Sequence, residues 1–185
     1  MIAGDVTVPG HEGYARDVIA LARRHGVPLL LVHGNNDTPG AVEEFRRAEV
    51  TIHRREREVD GVRFVGLGGD GYAPHDVELG PGESLDLDLE GSVLLTHLPP
   101  PGLRYAPDGP PPPPAPGRPP APALPAPRAQ VCGHIHHTEG VAWLGRTKVI
   151  KPRAAMWNRC ALLDLDTLAA TFRDLEPRDA QRVSE

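Results

Sequence analysis

The chain reads as a single-domain α/β protein, and three features carry that reading. Short, uninterrupted apolar runs, such as Leu29-Leu30-Leu31-Val32 and Val93-Leu94-Leu95, have the composition of strands buried on both faces of a parallel sheet. Between residues 5 and 28 lies a stretch of helical periodicity, so strand, helix and strand follow one another. Each apolar run also closes on polar residues, which is where open α/β sheets place their ligands.

Taken in order, Ile2-Ala3-Gly4-Asp5 reads as the end of a buried strand. Over residues 12–25 Ala15, Val18, Ile19 and Ala22 share one helical face, and Gly26 is placed as a C-terminal stop. Residues 28–32 form the next strand and run into His33-Gly34-Asn35-Asn36-Asp37. A second helix is expected over 41–48, then strands at 51–52 and 62–67 joined at the turn Asp60-Gly61. Gly66-Leu67-Gly68-Gly69-Asp70 lacks the Lys-Ser/Thr of a phosphate-binding P-loop and opens no helix, which leaves a glycine-rich turn. Residues 92–97 and 130–134 are two further strands, each ending in a histidine. Between them, residues 99–128 are dominated by Pro and Ala and are expected to be an extended or disordered inserted surface loop. A hairpin about Gly145, from 141–144 and 148–150, and a last strand over 160–165 precede a polar tail.

A length of 185 residues suits one domain. The net charge of −5 and pI near 6.0 provide no basic field for nucleic acid. Cys132 and Cys160 are too few and too widely spaced for a disulfide framework and read as buried free thiols. No apolar run approaches the roughly 18 residues of a membrane span, and the N-terminus lacks a signal pattern, so a cytoplasmic location without membrane contact is expected.

The chemistry is concentrated in four segments at strand ends: Gly4-Asp5, Gly34-Asn35-Asn36-Asp37, Thr96-His97 and Gly133-His134-Ile135-His136. In an extended segment His134 and His136 would lie on one side. A carboxylate, an amide oxygen and imidazoles suit Mn, Fe or Zn better than a calcium cage or a thiolate site.

In order and setting these segments resemble the calcineurin-like metallophosphoesterase superfamily, in the style of its small bacterial phosphodiesterases. That family's successive signatures are Asp-x-His, Gly-Asp, Gly-Asn-His/Cys/Asn-Asp, a strand-end His and Gly-His-x-His, and the chain carries all but the first. The resemblance implies a four-layered sandwich of two mixed sheets flanked by helices, here lacking the first strand. It implies a centre of two divalent ions (Mn, Fe, Zn or Ni) that hydrolyses small phosphate mono- or diesters with a metal-activated hydroxide. Asp5 would bridge the ions, Asn35, His97 and His134 would complete one, and His136 would serve the other. Asp5, Asn35 and His97 are thereby the expected catalytic set.

Three departures accompany the resemblance. The Asp-x-His would lie upstream of Ile2, so one ion is expected to bind well and the second poorly. Asn36 stands where many relatives have a histidine able to protonate the leaving group. Lys151-Pro152-Arg153 stands where the family's supporting turn usually reads Asn-Pro-Gly. His11, His33 and His137 are expected to be surface residues, with a substitute-ligand role as the alternative. Two other readings stand beside hydrolysis: a degenerate, non-catalytic metal or phosphate binder, and an interaction protein that displays its proline loop.

Overall fold

Strands buried on both faces make the centre of the computed structural model, which describes residues 1–69, 87–106 and 126–175. The elements are β1 (Ile2–Ala3), α1 (Gly13–Arg24), β2 (Leu31–Val32), α2 (Pro39–Arg47), β3 (Arg55–Val59) and β4 (Val62–Leu67). They continue as β5 (Val93–Thr96), β6 (Ala129–Val131), β7 (Gly140–Leu144), β8 (Thr147–Lys151), β9 (Arg159–Leu163) and β10 (Ala170–Asp174). Six strands form one mixed sheet in the order β3-β4-β5-β6-β8-β7, parallel from β4 through β8, with antiparallel strands at both edges. Two further pairs stand apart from it, β1 with β2 in parallel and β9 with β10 antiparallel.

The apolar runs alternate between two cores, as strands covered on both faces must. Phe64, Val93, Leu95, Ala129, Val131 and Ile150 turn one way, toward a core shared with Leu30 and Val32 and with flanking Ala161 and Leu163. Val65, Leu67 and Leu94 turn the other way, where Leu87 and Leu89 cover them, while Leu103 and Tyr105 cover Cys132 and Val149. Both helices pack against the β1–β2 pair. Helix α1 buries Ala15 and Ile19, and α2 buries Ala41 and Phe45 around Leu31. The start of α2 follows from its residues: the Thr38 hydroxyl accepts the Ala41 amide at 3.3 Å, and Pro39 needs no N–H in the first turn.

The mixed α/β class agrees with the sequence, and several boundaries differ. The hairpin partner of β4 is β3, not residues 51–52, of which Thr51 makes an isolated bridge to Leu31. The turn at Asp60-Gly61 is as expected, with φ of 51° and 75°. Strand β6 stops at Val131, and β10 adds a strand after the one expected to be last. Its hairpin is held by Asp164, whose carboxylate accepts the Asp166 and Thr167 amides and the Thr167 hydroxyl.

The ends of the proline-rich segment are packed. Pro100 and Pro127 are buried, Ala106 exchanges backbone hydrogen bonds with Val141, and the Pro127 carbonyl accepts the Thr147 hydroxyl at 2.7 Å. The loop expected over 99–128 is therefore anchored at both sides, and its residues 107–125 lie outside the described residues, as do Asp70 of the glycine-rich turn and residues 176–185. Both cysteines are free, and burial pushes the Cys132 thiol up to about 12, whereas Cys160 is only half-buried. Among the described residues no helix is long and apolar enough to cross a membrane.

These anchors fix where the segment can be cut. Replacing residues 107–125 by a short Gly-Ser linker is expected to leave the melting temperature nearly unchanged, because loop entropy varies slowly with length. Extending the deletion through Arg128 removes the Thr147–Pro127 bond and the backbone bonds of Arg128 to Ser92 and Lys148. It should cost about 2–3 kcal/mol in urea denaturation.

Candidate metal centre

The polar strand ends meet because the backbones approach closely. A Cβ on Gly4 would lie 2.6 Å from the Gly34 amide nitrogen and from His97 Nδ1, and one on Gly34 would lie 2.2 Å from Asp5 Oδ1. No side chain fits at either position. Gly4 also sits at φ 85°, and Asp5 follows it at φ 56°, a left-handed conformation that a non-glycine residue adopts at a cost of about 1–3 kcal/mol.

Asp37 holds that conformation in place. Its Oδ2 accepts the Asp5 amide at 2.9 Å and the Gly34 amide at 2.8 Å, and its Oδ1 accepts the Thr7 amide at 2.8 Å and hydroxyl at 3.0 Å. The loop after β1 is thereby fastened to the loop after β2. Asn36 adds a second fastening, its amide donating to Asp5 Oδ1 and its side-chain Nδ2 to Asp5 Oδ2, each at 2.9 Å. Asp5 is thus presented with a fixed carboxylate plane.

His97 lies at the end of β5 and is fully buried. Its Nδ1 is 2.7 Å from the Ala3 carbonyl, which can only accept, so Nδ1 carries the proton and Nε2 of the neutral ring keeps its lone pair. That lone pair faces Asn35 Oδ1 at 2.9 Å, His134 Nδ1 at 3.2 Å and Asp5 Oδ2 at 3.5 Å. Asn35 Oδ1 in turn lies 3.0 Å from His134 Nδ1. Four atoms able to present lone pairs thus converge. A divalent cation satisfies such a donor set, and the ligand atoms of Asp5, His97 and His134, all within 4.8 Å of one another, could hold one.

His136 approaches the same carboxylate oxygen as His97. Its Nε2 is 3.7 Å from Asp5 Oδ2, and its side chain is 42% exposed. The expectation that His134 and His136 share one side of an extended strand is corrected: the strand has ended, and His134 has φ 65° in a turn. It is this turn, not a pleat, that carries the two rings to the site. His11 and His137 are exposed as expected. His33 instead is half-buried, edge-on to His53 at 4.5 Å between ring centres. His53 Nδ1 accepts the Gly68 amide at 2.8 Å, and burial, with His33 and Arg54 nearby, pushes its pKa down to about 4.

The structure therefore brings all five expected residues to one place, four around one point and His136 beyond Asp5. Asp37 and Thr7 are additions. Asp37 belongs to the Gly34-Asn35-Asn36-Asp37 segment singled out in the sequence but was not among the five expected site residues, and nothing local in the sequence pairs it with Thr7.

No protein-family model matches the chain. A Methanocaldococcus jannaschii protein described as the uncharacterized protein MJ1162 is 27% identical over 113 residues, which cover 54% of this chain and 49% of that protein. The chain thus spans about half the length of that relative. Among solved structures, TT1561 of Thermus thermophilus superposes with a TM-score of 0.61 at 14% identity, over 95% of this chain and 84% of its own. Another crystal structure superposes with a TM-score of 0.61 at 17% identity, over 89% of this chain and 72% of its own. These similarities establish a shared fold.

Two outcomes follow from the geometry. Asp37→Ala leaves the Asp5, Thr7 and Gly34 amides without their acceptor, and urea denaturation should show a loss of about 3 kcal/mol or more. His53 is harder to protonate in the folded state than at its ordinary 6.5, so its contribution is complete above pH 6.5 and lost as pH falls toward 4. The fall in melting temperature across that window should be shallower in His53→Asn.

Proposed function

We propose that the chain carries the metal-holding part of a calcineurin-like metallophosphoesterase and hydrolyses phosphate mono- or diesters. The observation that supports this most is the convergence of Asp5, Asn35, His97 and His134 from four separate strand ends onto one point. When bound, divalent ions (Mn, Fe, Zn or Ni) would lower the pKa of a water molecule and neutralise phosphoryl oxygens.

The chain's own residues have distinct parts in this reading. Asn35, His97 and His134 hold the first position, Asp5 faces both, and His136 serves the second. His97 is kept in the ligating tautomer by the Ala3 carbonyl. Asn36 fixes Asp5 but is an amide and donates no proton to a leaving group, so esters of acidic alcohols such as phenols are the preferred substrates.

The finer architecture we propose is the four-layered sandwich of two mixed sheets, with the pairs β1–β2 and β9–β10 belonging to one sheet. In support, among the described residues β1 pairs only with β2 and β9 only with β10, and β1 and β9 both line a cavity of about 580 Å³ that also reaches Asp5 and His136. One more strand, at about 4.8 Å from each neighbour, would join them. Such a strand, ending in the family's Asp-x-His, would complete the second position.

A second reading, a non-catalytic metal or phosphate binder, is favoured by one observation: among the described residues the second position has only Asp5 and His136.

Metal content and turnover separate the two. Elemental analysis should find one tightly held ion in the chain beginning at Met1, and Asp5→Ala and His134→Ala should each weaken its binding by more than about 100-fold. Slow cleavage of an aryl phosphodiester that disappears in Asp5→Ala, and rises on adding a strand with Asp-x-His, fits the hydrolase. One ion without turnover in both forms fits the binder, and unchanged metal content in both variants contradicts the site.

A further inference from the structure

The chain contains two lysines, Lys148 and Lys151, and its other permanently cationic side chains are arginines. Both lysines lie on β8 and both are buried, Lys151 completely. Burying an ammonium is costly unless its protons are satisfied. Those of Lys151 are directed at the loop that carries His134 and His136: Nζ donates to the Ile135 carbonyl and, at 2.5 Å, to the Thr138 carbonyl. The residues that follow continue the pattern. The Ala154 amide donates to the His136 carbonyl at 3.3 Å, and the Arg153 guanidinium reaches the His137 carbonyl at 3.4 Å. Four successive carbonyls, from residue 135 to residue 138, are thus received by one four-residue segment.

From this geometry we infer that Lys151 is the positioning residue of the metal centre, setting the His134–His136 turn from beneath; the inference rests on the proposed metal site. The loop is irregular, with His134 in the left-handed region, so regular pairing does not fix its two rings. The Lys151 ammonium does so by gathering the carbonyls on either side of His136 onto one point. An ammonium suits this task because it is compact and directs three donors from a single nitrogen, where a guanidinium spreads its donors in a plane. The Tyr105 ring, with its centre 5.9 Å from Nζ, closes the remaining side. The sequence Lys151-Pro152-Arg153 thereby serves as a cradle for the loop where the resembling family has a different turn.

Lys148 supplies the matched control, since it is buried on the same strand but donates to the Leu168 carbonyl at 2.7 Å, on the β9–β10 connection. Cobalt(II) titration, followed by the visible spectrum, is carried out on wild type, Lys151→Met, Lys151→Gln and Lys148→Met, with thermal unfolding of each metal-free protein alongside. Lys151→Met is expected to weaken cobalt binding by about 10- to 100-fold and to alter the spectrum at saturation, Lys151→Gln to fall between it and wild type, and Lys148→Met to bind as wild type whatever its melting temperature. If Lys151→Met does not fold, Lys151→Gln decides. Affinity within about twofold of wild type in the folded Lys151 variants overturns the positioning role and leaves the metal site standing, as does an equal loss in Lys148→Met. Failure of wild type to bind cobalt overturns the site and the role together.

Discussion

The carboxylate of Asp37 receives donors from both sides of the site, the Asp5 and Thr7 groups of the loop after β1 and the Gly34 amide of the loop after β2. Hydrogen bonds to a charged acceptor contribute about 1.5–3 kcal/mol each, whereas the left-handed backbone at Asp5 costs about 1–3 kcal/mol. Four such bonds outweigh one strained residue. Because Asp5 is held in that conformation, its side chain turns back across the strand ends instead of continuing along β1. Asn35 is placed by the same loop, and His97 is reached through the Ala3 carbonyl at the end of β1. The convergence of these donor groups is thus a consequence of how two short loops are clamped together, and the six-stranded sheet contributes by delivering His97 and the His134 turn to the same edge.

The two halves of the site are unequal. Around His97 Nε2 an amide oxygen, a second imidazole and a carboxylate lie within 3.5 Å, which is costly for lone pairs alone and favourable around a cation. Among the described residues, the proposed second position has one half-exposed imidazole besides Asp5, and the cavity beside it is lined in part by β1 and β9, which do not pair with each other. Among the described residues the proposed hydrolase and the proposed binder share the first position and differ in what the second must hold. The choice between them therefore turns on the second position and not on the first.

Much of this could be read from the residues because strand burial and strand ends leave strong signals. The continuous apolar runs marked β2, β5 and β6, and the polar groups that close them meet at one place in the fold. What escaped was encoded differently. Strand β3 is Arg55-Glu56-Arg57-Glu58-Val59, largely exposed, and its charges suit an edge strand while hiding the alternation that would identify one. Strand β10 was concealed in the same way by Thr171, Arg173 and Asp174. The left-handed turn at His134 has no glycine at that position to announce it, and it is held by tertiary contacts from Lys151 and Ala154 that no local pattern records. Asp37 was visible as the last residue of a polar strand-end segment, but its role depends on Thr7, 30 positions away.

Everything proposed for the site requires one divalent cation where the strand ends converge. Crystals grown with manganese, with diffraction collected at a wavelength where manganese scatters anomalously, test it most directly. Such a cation should give a peak at about 2.0–2.3 Å from donor atoms of Asp5, Asn35, His97 and His134. A map with no peak at this point, or with manganese bound only elsewhere on the chain, would contradict it.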